Sequence, residues 1–304
     1  RTEVHWDHDE LPYLQNVHTS THGDPIVTLL SRDQCRQVIL AVDPRNGTSR
    51  VVRERTDEHW IDVVAGVPAW DGAGRLLEVV ADRVTDTYRL VRDDEPISPT
   101  GWQVHGVLDH GRDDRGDDWI LVHGGDDAMR DRAAILTSDG LRFVPAHAQM
   151  SSARLAGDVL VTSCTSLEST STTHQIWRVG SQGDELLGEI ATCVETPLVH
   201  PVVLPVDGGD TVVVFPTGYQ PGSHPLPVIM SPYGGPHARM VVASGLAFGS
   251  AQWLADQGFA VVVADGRGTP GHGPAWDRTV KGDLASPAGG GPDASAADRA
   301  RSRR

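Results

Sequence analysis

Leu226-Pro-Val-Ile-Met-Ser-Pro-Tyr233-Gly-Gly-Pro-His237 carries an apolar run, Leu226 to Met230, straight into a tyrosine followed by two glycines and a proline. The run reads as a buried strand. The next strand-like run is Phe259 to Ala264, and a helix-length segment between the two stops at Gly258. Strand, helix and strand make a β-α-β unit, whose strands lie parallel. Tyr233 then stands at the carboxyl end of the first strand. From there a hydroxyl can face the negative charge that develops on a carbonyl oxygen during acyl transfer. The plainer reading of such a tyrosine is a packing residue with a satisfied hydroxyl.

Working towards the amino terminus, residues 1 to about 200 are short alternating runs separated by turn residues, with almost no helical periodicity. Ile26 to Leu30, Val38 to Val42 and Ser49 to Arg53 read as strands, and Asp43-Pro44-Arg45-Asn46-Gly47 as a hairpin turn, since Asn-Gly tolerates positive φ. Further strands are expected at Trp60 to Val64, Arg75 to Val80, Tyr88 to Val91, Gln103 to Leu108, Trp119 to Val122, Ala134 to Thr137, Val159 to Ser163 and His174 to Val179. Counted from Val17 to Ile61 to Val104 to Met150, they repeat every 43 to 47 residues or so. That is the length of a four-stranded propeller blade. A β-sandwich also alternates in this way; the repeat and the β-α-β unit that follows it favour a partial propeller of about four blades.

Pro232-Tyr-Gly-Gly-Pro-His237, with Gln252-Trp-Leu-Ala-Asp-Gln-Gly-Phe259 and Ala264-Asp-Gly-Arg-Gly-Thr-Pro-Gly271, resembles the start of the catalytic domain of prolyl oligopeptidase family serine peptidases, dipeptidyl-peptidase IV branch. Ser31-Arg32-Asp33-Gln34, Val42-Asp43, Gly47 and Glu58-His59-Trp60 are similar to landmarks of that branch's propeller. The resemblance implies a partial β-propeller over 1–200, the first β-α-β part of an α/β hydrolase domain over 201–287, and a tail over 288–304. It implies a Ser-Asp-His triad acting on short peptides, Tyr233 as half of the oxyanion hole, and neither cofactor nor metal; a homodimer of the full-length enzyme is compatible with it. Arg267, in the turn Gly266-Arg267-Gly268, is expected to anchor that loop.

Two departures from the family pattern stand out. No serine lies in a Gly-x-Ser-x-Gly frame: Ser181 and Ser250 each have glycine on one side only. No Glu-Glu pair occurs either, whereas the family binds a free amino terminus with one. With a tail from Ala288 that holds no large apolar residue, the chain reads as an internal fragment of a longer enzyme, inactive by itself. The competing reading is a non-catalytic propeller binding module. His237 gets no catalytic role, because the base of such a triad comes last in the sequence.

Composition sets outer bounds. The 304 residues, 39% apolar and 22% charged, suffice for one or two sizeable cores. A formal net charge of -15 argues against a nucleic-acid partner, since phosphate binding needs clustered Lys and Arg. Of 26 basic residues only Lys281 is a lysine, a bias from which no site is read. Cys35, Cys164 and Cys193 are widely spaced, with no Cys-x-x-Cys, which fits a reducing, cytoplasmic setting. No stretch reaches the roughly 18 apolar residues of a membrane helix, and no membrane partner is expected. His5 and His8 with Asp7 and Asp9 read as an exposed polar terminus rather than a metal cluster. Asn46-Gly47-Thr48 is formally a glycosylation acceptor, but a turn role suffices. Gly266-Arg267-Gly268-Thr269-Pro270-Gly271 matches a dinucleotide fingerprint, yet Pro270 lies inside the turn and no second strand with an acidic residue follows.

Overall fold

The computed structural model describes residues 3–113, 115–144, 148–180, 183–191, 199–204 and 210–284. The expected tail over 288–304 and Cys193 fall outside the described residues. Four antiparallel four-stranded sheets follow one another along the chain. The first holds β1 (Tyr13–His18), β2 (Ile26–Leu30), β3 (Arg36–Val42) and β4 (Ser49–Thr56). The second holds β5 (Ala69–Trp70), β6 (Leu76–Asp82), β7 (Thr87–Arg92) and β8 (Glu95–Pro96). The third holds β9 (Gln103–Arg112), β10 (Asp118–Asp127), β11 (Arg130–Thr137) and β12 (Gly140–Phe143). The fourth holds β13 (Met150–Ala156), β14 (Val159–Thr165), β15 (Thr173–Arg178) and β16 (Glu185–Ala191). Each is a blade with its strands in sequence order, the arrangement expected for a propeller.

The strand period of two explains why β2, apart from Thr28, and the Val38–Val42 run of β3 are apolar at successive positions. On one face Val27, Leu29, Val38, Leu40 and Val42 pack with Leu11 and with Val4 and Trp6. On the other, Ile26, Ile39 and Ala41 pack with Trp70 and Leu76 of the next blade. Both faces are covered, which favours apolar residues on each, with the buried Thr28 as the polar exception in β2. The hairpin between β3 and β4 turns where expected: Gly47 sits at φ 78 and its N–H donates to the Asp43 carbonyl at 2.8 Å.

Charged pairs join successive blades. Glu78 of β6 is buried and receives both Arg53 and Arg55 of β4, while Asp94 takes the outer side of the same two guanidinium groups. Asp71 and Asp118 meet Arg75 and Arg92, and Asp118 also meets Arg112. Arg142 pairs with Asp184.

The strand expected at Trp60 to Val64 does not form. The backbone here bonds elsewhere: the Ile61 N–H donates to the Gln34 carbonyl at 2.8 Å, and Ala65 makes only an isolated bridge to Gly106. The second blade opens later, at Ala69, after Pro68. The blades therefore start unevenly, at Tyr13, Ala69, Gln103 and Met150.

A fifth sheet follows, with β17 (Pro201–Leu204), β18 (Thr211–Val214), β19 (Val228–Tyr233) and β20 (Ala260–Asp265) in the order β17-β18-β20-β19. β19 and β20 pair parallel, as expected of a β-α-β unit, while β18 pairs antiparallel with both β17 and β20. Between β19 and β20 lie a 3-10 turn (Gly245–Phe248) and α1 (Gly249–Ala255). Phe248, Ala251 and Ala255 pack with Val212, Val214, Val261 and Val263. Gly258, at φ +99, ends the helical segment where the sequence places its stop. β19 is not the buried strand that its apolar run suggests. It lies at the sheet edge, with Val228 58% and Met230 60% exposed, and Ile229 supplies its contact with the core.

The chain divides into two compact units, residues 1–123 with 135–141, and residues 124–134 with 142–304. The second unit thus takes in the fourth blade, the fifth sheet and the β10–β11 tip, which adds Met129 to the core around Phe248. No helix among the described residues is long and apolar enough to cross a membrane.

Candidate active site

The carboxyl ends of β19 and β20 finish side by side, with Tyr233 opposite Asp265 in the parallel register and the Gly266 N–H donating to the Tyr233 carbonyl at 2.7 Å. Tyr233 is half-buried, and its hydroxyl donates to the Pro236 carbonyl at 3.2 Å. A Cβ at Gly235 would meet the tyrosine oxygen at 3.7 Å, an ordinary contact, so this position tolerates a side chain beside the hydroxyl. His237 is exposed and adopts φ +80, a conformation uncommon outside glycine in which Asn, Asp and His are enriched.

Asp265 is 4% exposed. Its carboxylate accepts the backbone N–H groups of Met240, at 2.9 and 3.1 Å, and of Val241, at 2.9 Å. Burial pushes this carboxyl above the usual carboxylate range, the two backbone donors pull it back, and the charge of Asp210 raises it further. Across the loop, the Arg239 guanidinium donates to the Ala128 carbonyl at 2.5 Å and pairs with Asp131. His272 Nε2 lies 3.2 Å from Asp210 Oδ2, with its ring tilted against Trp276. The distance suits an ion pair. Asp210 above all raises the imidazole pKa, against desolvation.

The turn after β20 is built from residues other than the arginine expected to anchor it. Gly268 lies at φ +90, and a Cβ there would fall 2.2 Å from Val280 Cγ1. The buried Thr269 hydroxyl donates to the Gly266 carbonyl at 2.8 Å. Arg267 is exposed and, among the described residues, makes no hydrogen bond or ion pair. Its anchoring role is therefore corrected: the neighbouring backbone conformation and the threonine hold the turn, and the arginine is exposed. The short helix α2 (Pro274–Asp277) follows the glycine-rich turn. A Rossmann unit would place its pyrophosphate-binding helix directly there.

Elsewhere, His5 and His8 are exposed, and Asp7 serves as acceptor for the N–H groups of Asp9 and Glu10. Asn46 accepts from the Thr48 N–H and hydroxyl within its hairpin turn. Asp265 and Arg239 went unnoticed in the sequence. Asp265 at the end of a strand and an arginine six residues after Tyr233 carry no spacing signal, because their partners are backbone groups and a carboxylate remote in sequence.

Antiparallel blades followed by a parallel pair of strands with a tyrosine at its carboxyl edge define the class: propeller blades joined to the beginning of a mixed α/β sheet. Residues 247–287 match the prolyl oligopeptidase family. The crystal structure of Porphyromonas gingivalis dipeptidyl peptidase 4 is similar to this chain with a TM-score of 0.71 and 17% identity, over 88% of this chain and 40% of that one. A structure described as a dipeptidyl aminopeptidase IV from Bacteroides ovatus is similar with a TM-score of 0.69 and 14% identity, over 88% of this chain and 43% of that one. The chain thus spans less than half the length of each. No curated protein sequence matches it. The family match lies in the segment that holds α1, β20 and α2, and the likeness to the two solved structures is one of fold.

Proposed function

We propose that this chain is the propeller-to-catalytic-domain portion of a serine peptidase that hydrolyses short peptides, with the Tyr233 hydroxyl as one donor to the oxyanion. The reading is carried by the position of Tyr233: the carboxyl end of a parallel strand, beside Asp265, with the segment matched to the peptidase family forming the adjoining helix and strand. In the free protein the hydroxyl is parked on Pro236 O. A tetrahedral oxyanion is a stronger acceptor than a neutral carbonyl and would draw the hydrogen bond to itself. That interaction exists only in the transition state, so it acts on kcat.

In an enzyme with a complete catalytic domain, Tyr233→Phe should lower kcat on a dipeptidyl chromogenic amide by about 10²-fold or more, corresponding to about 3 to 4 kcal/mol, with little change in KM. Wild-type kcat in that variant would remove the assignment. The 304-residue chain alone contains no Gly-x-Ser-x-Gly and is expected to turn over no such amide. That same absence supports the second reading, a non-catalytic propeller module. Turnover by the purified chain that a serine-directed reagent blocks would contradict both the inactivity and the second reading.

A further inference from the structure

The loop that leaves Tyr233 is clamped at both ends and unclamped in the middle. At its start the Tyr233 carbonyl is held by the Gly266 N–H. At its far end the buried Asp265 carboxylate holds two consecutive N–H groups, those of Met240 and Val241, and Val241 itself is fully buried in the core around Phe248. One residue earlier, Arg239 reaches two acceptors on the β10–β11 tip, the Ala128 carbonyl and Asp131, with side chains only 14% and 7% exposed for the ion pair. Between these clamps lie Gly234, Gly235, Pro236, His237 and Ala238, and the partner of the tyrosine hydroxyl, Pro236 O, belongs to that span.

Burying two charged groups to tie down one short loop is costly. An isolated buried carboxylate loses several kcal/mol of hydration that only aimed donors return, and a neutral side chain packed at this place would fix a loop with less penalty. What the charged arrangement adds is direction. A carboxylate bridging two consecutive amides, and a planar guanidinium bridging two acceptors, each define an orientation as well as a distance. The geometry points to Asp265 and the Arg239–Asp131 pair as positioning residues that set the aim of the Tyr233 hydroxyl by fixing both ends of the 234–241 loop. Their consequence for catalysis rests on the oxyanion reading of Tyr233; their effect on the tyrosine does not.

The chain has four tyrosines, so labelling with ¹³Cζ-tyrosine and assigning by Tyr233→Phe isolates the Tyr233 signal in the 304-residue protein. Asp265→Asn and Arg239→Ala should each shift and broaden that signal and leave the other three in place. They should also speed amide exchange at Met240 and Val241 by about tenfold or more, because each opens one clamp without global unfolding. Arg239→Lys, which keeps the charge but reaches one acceptor, should restore part of the wild-type spectrum, and it decides the matter if either other variant does not fold. In an enzyme with a complete catalytic domain the same substitutions should lower kcat about 10- to 100-fold with KM little changed. An unmoved Tyr233 signal with unchanged exchange in the folded variants overturns the proposal. A moved signal together with a fully active Tyr233→Phe enzyme would leave the positioning intact and sink the oxyanion role.

Discussion

The Tyr233 hydroxyl bonds to a carbonyl three residues on, and the far end of the loop that follows is held by Asp265 and by the Arg239–Asp131 pair. Among the titratable groups of the same unit the clearest handle on pH is His272. Its pKa is raised above 6.5, first by Asp210 and further by Asp277 and Asp127, while desolvation opposes them. A raised histidine pKa contributes stability that is fully present below the unfolded value of about 6.5 and is lost as pH rises through the folded value. The melting temperature gap between wild type and His272→Gln should therefore be widest below pH 6.5 or so and shrink on the alkaline side. A thermal series with a gap independent of pH from about 5 to 9 would show that His272 and Asp210 do not pair. At this scale the sequence offered Tyr233 through its glycine-flanked context but misread Arg267. Residue type and turn context suggested an anchor, whereas the turn is held by Gly268 at φ +90 and by the buried Thr269 hydroxyl on the Gly266 carbonyl, with Arg267 exposed.

Elements were legible wherever their own pattern decided them. Ile26 to Leu30 forms the strand expected, residue for residue, because both of its faces are buried and no local polar group competes. Trp60 to Val64 does not, and its Ile61 N–H is spent on the Gln34 carbonyl. Strands β17 and β18 escaped notice because runs of four residues are too short to show a period. What binds one blade to the next lies outside any single strand. Glu78, with 3% of its side chain exposed, compensates Arg53 and Arg55 together. Glu78→Ala should cost about 3 kcal/mol in urea unfolding, at the low end for breaking a buried pair, because both arginines keep the half-exposed Asp94. By contrast Glu54→Ala, at the exposed Arg36 pair, should be barely measurable. Overlapping unfolding curves for wild type and Glu78→Ala would show that blade contact depends on apolar packing alone.

Over the whole molecule, the apolar surface left uncovered is concentrated on late strands. Leu186, Leu187 and Ile190 on β16, Val202, Val203 and Leu204 on β17, and Val228 and Met230 on the edge strand β19 are all exposed. Open strand edges and exposed apolar side chains template association. Light scattering of the purified chain should show mass rising with concentration, and Val228→Lys with Met230→Lys should reduce it; a monomer at every concentration, before and after substitution, would contradict this. The amino-acid sequence by itself determined the succession of blades, the hairpin at Asn46-Gly47, the parallel β-α-β unit and the place of Tyr233, because each follows from periodicity and turn chemistry within a few neighbouring residues. Tertiary structure alone decided that β20 lies between β18 and β19, that β19 is an edge rather than a buried strand, and that Asp265 and Arg239 clamp the loop after Tyr233. Strand order and hydrogen-bond partners between residues far apart in the chain depend on which surfaces meet, and no local pattern encodes that meeting.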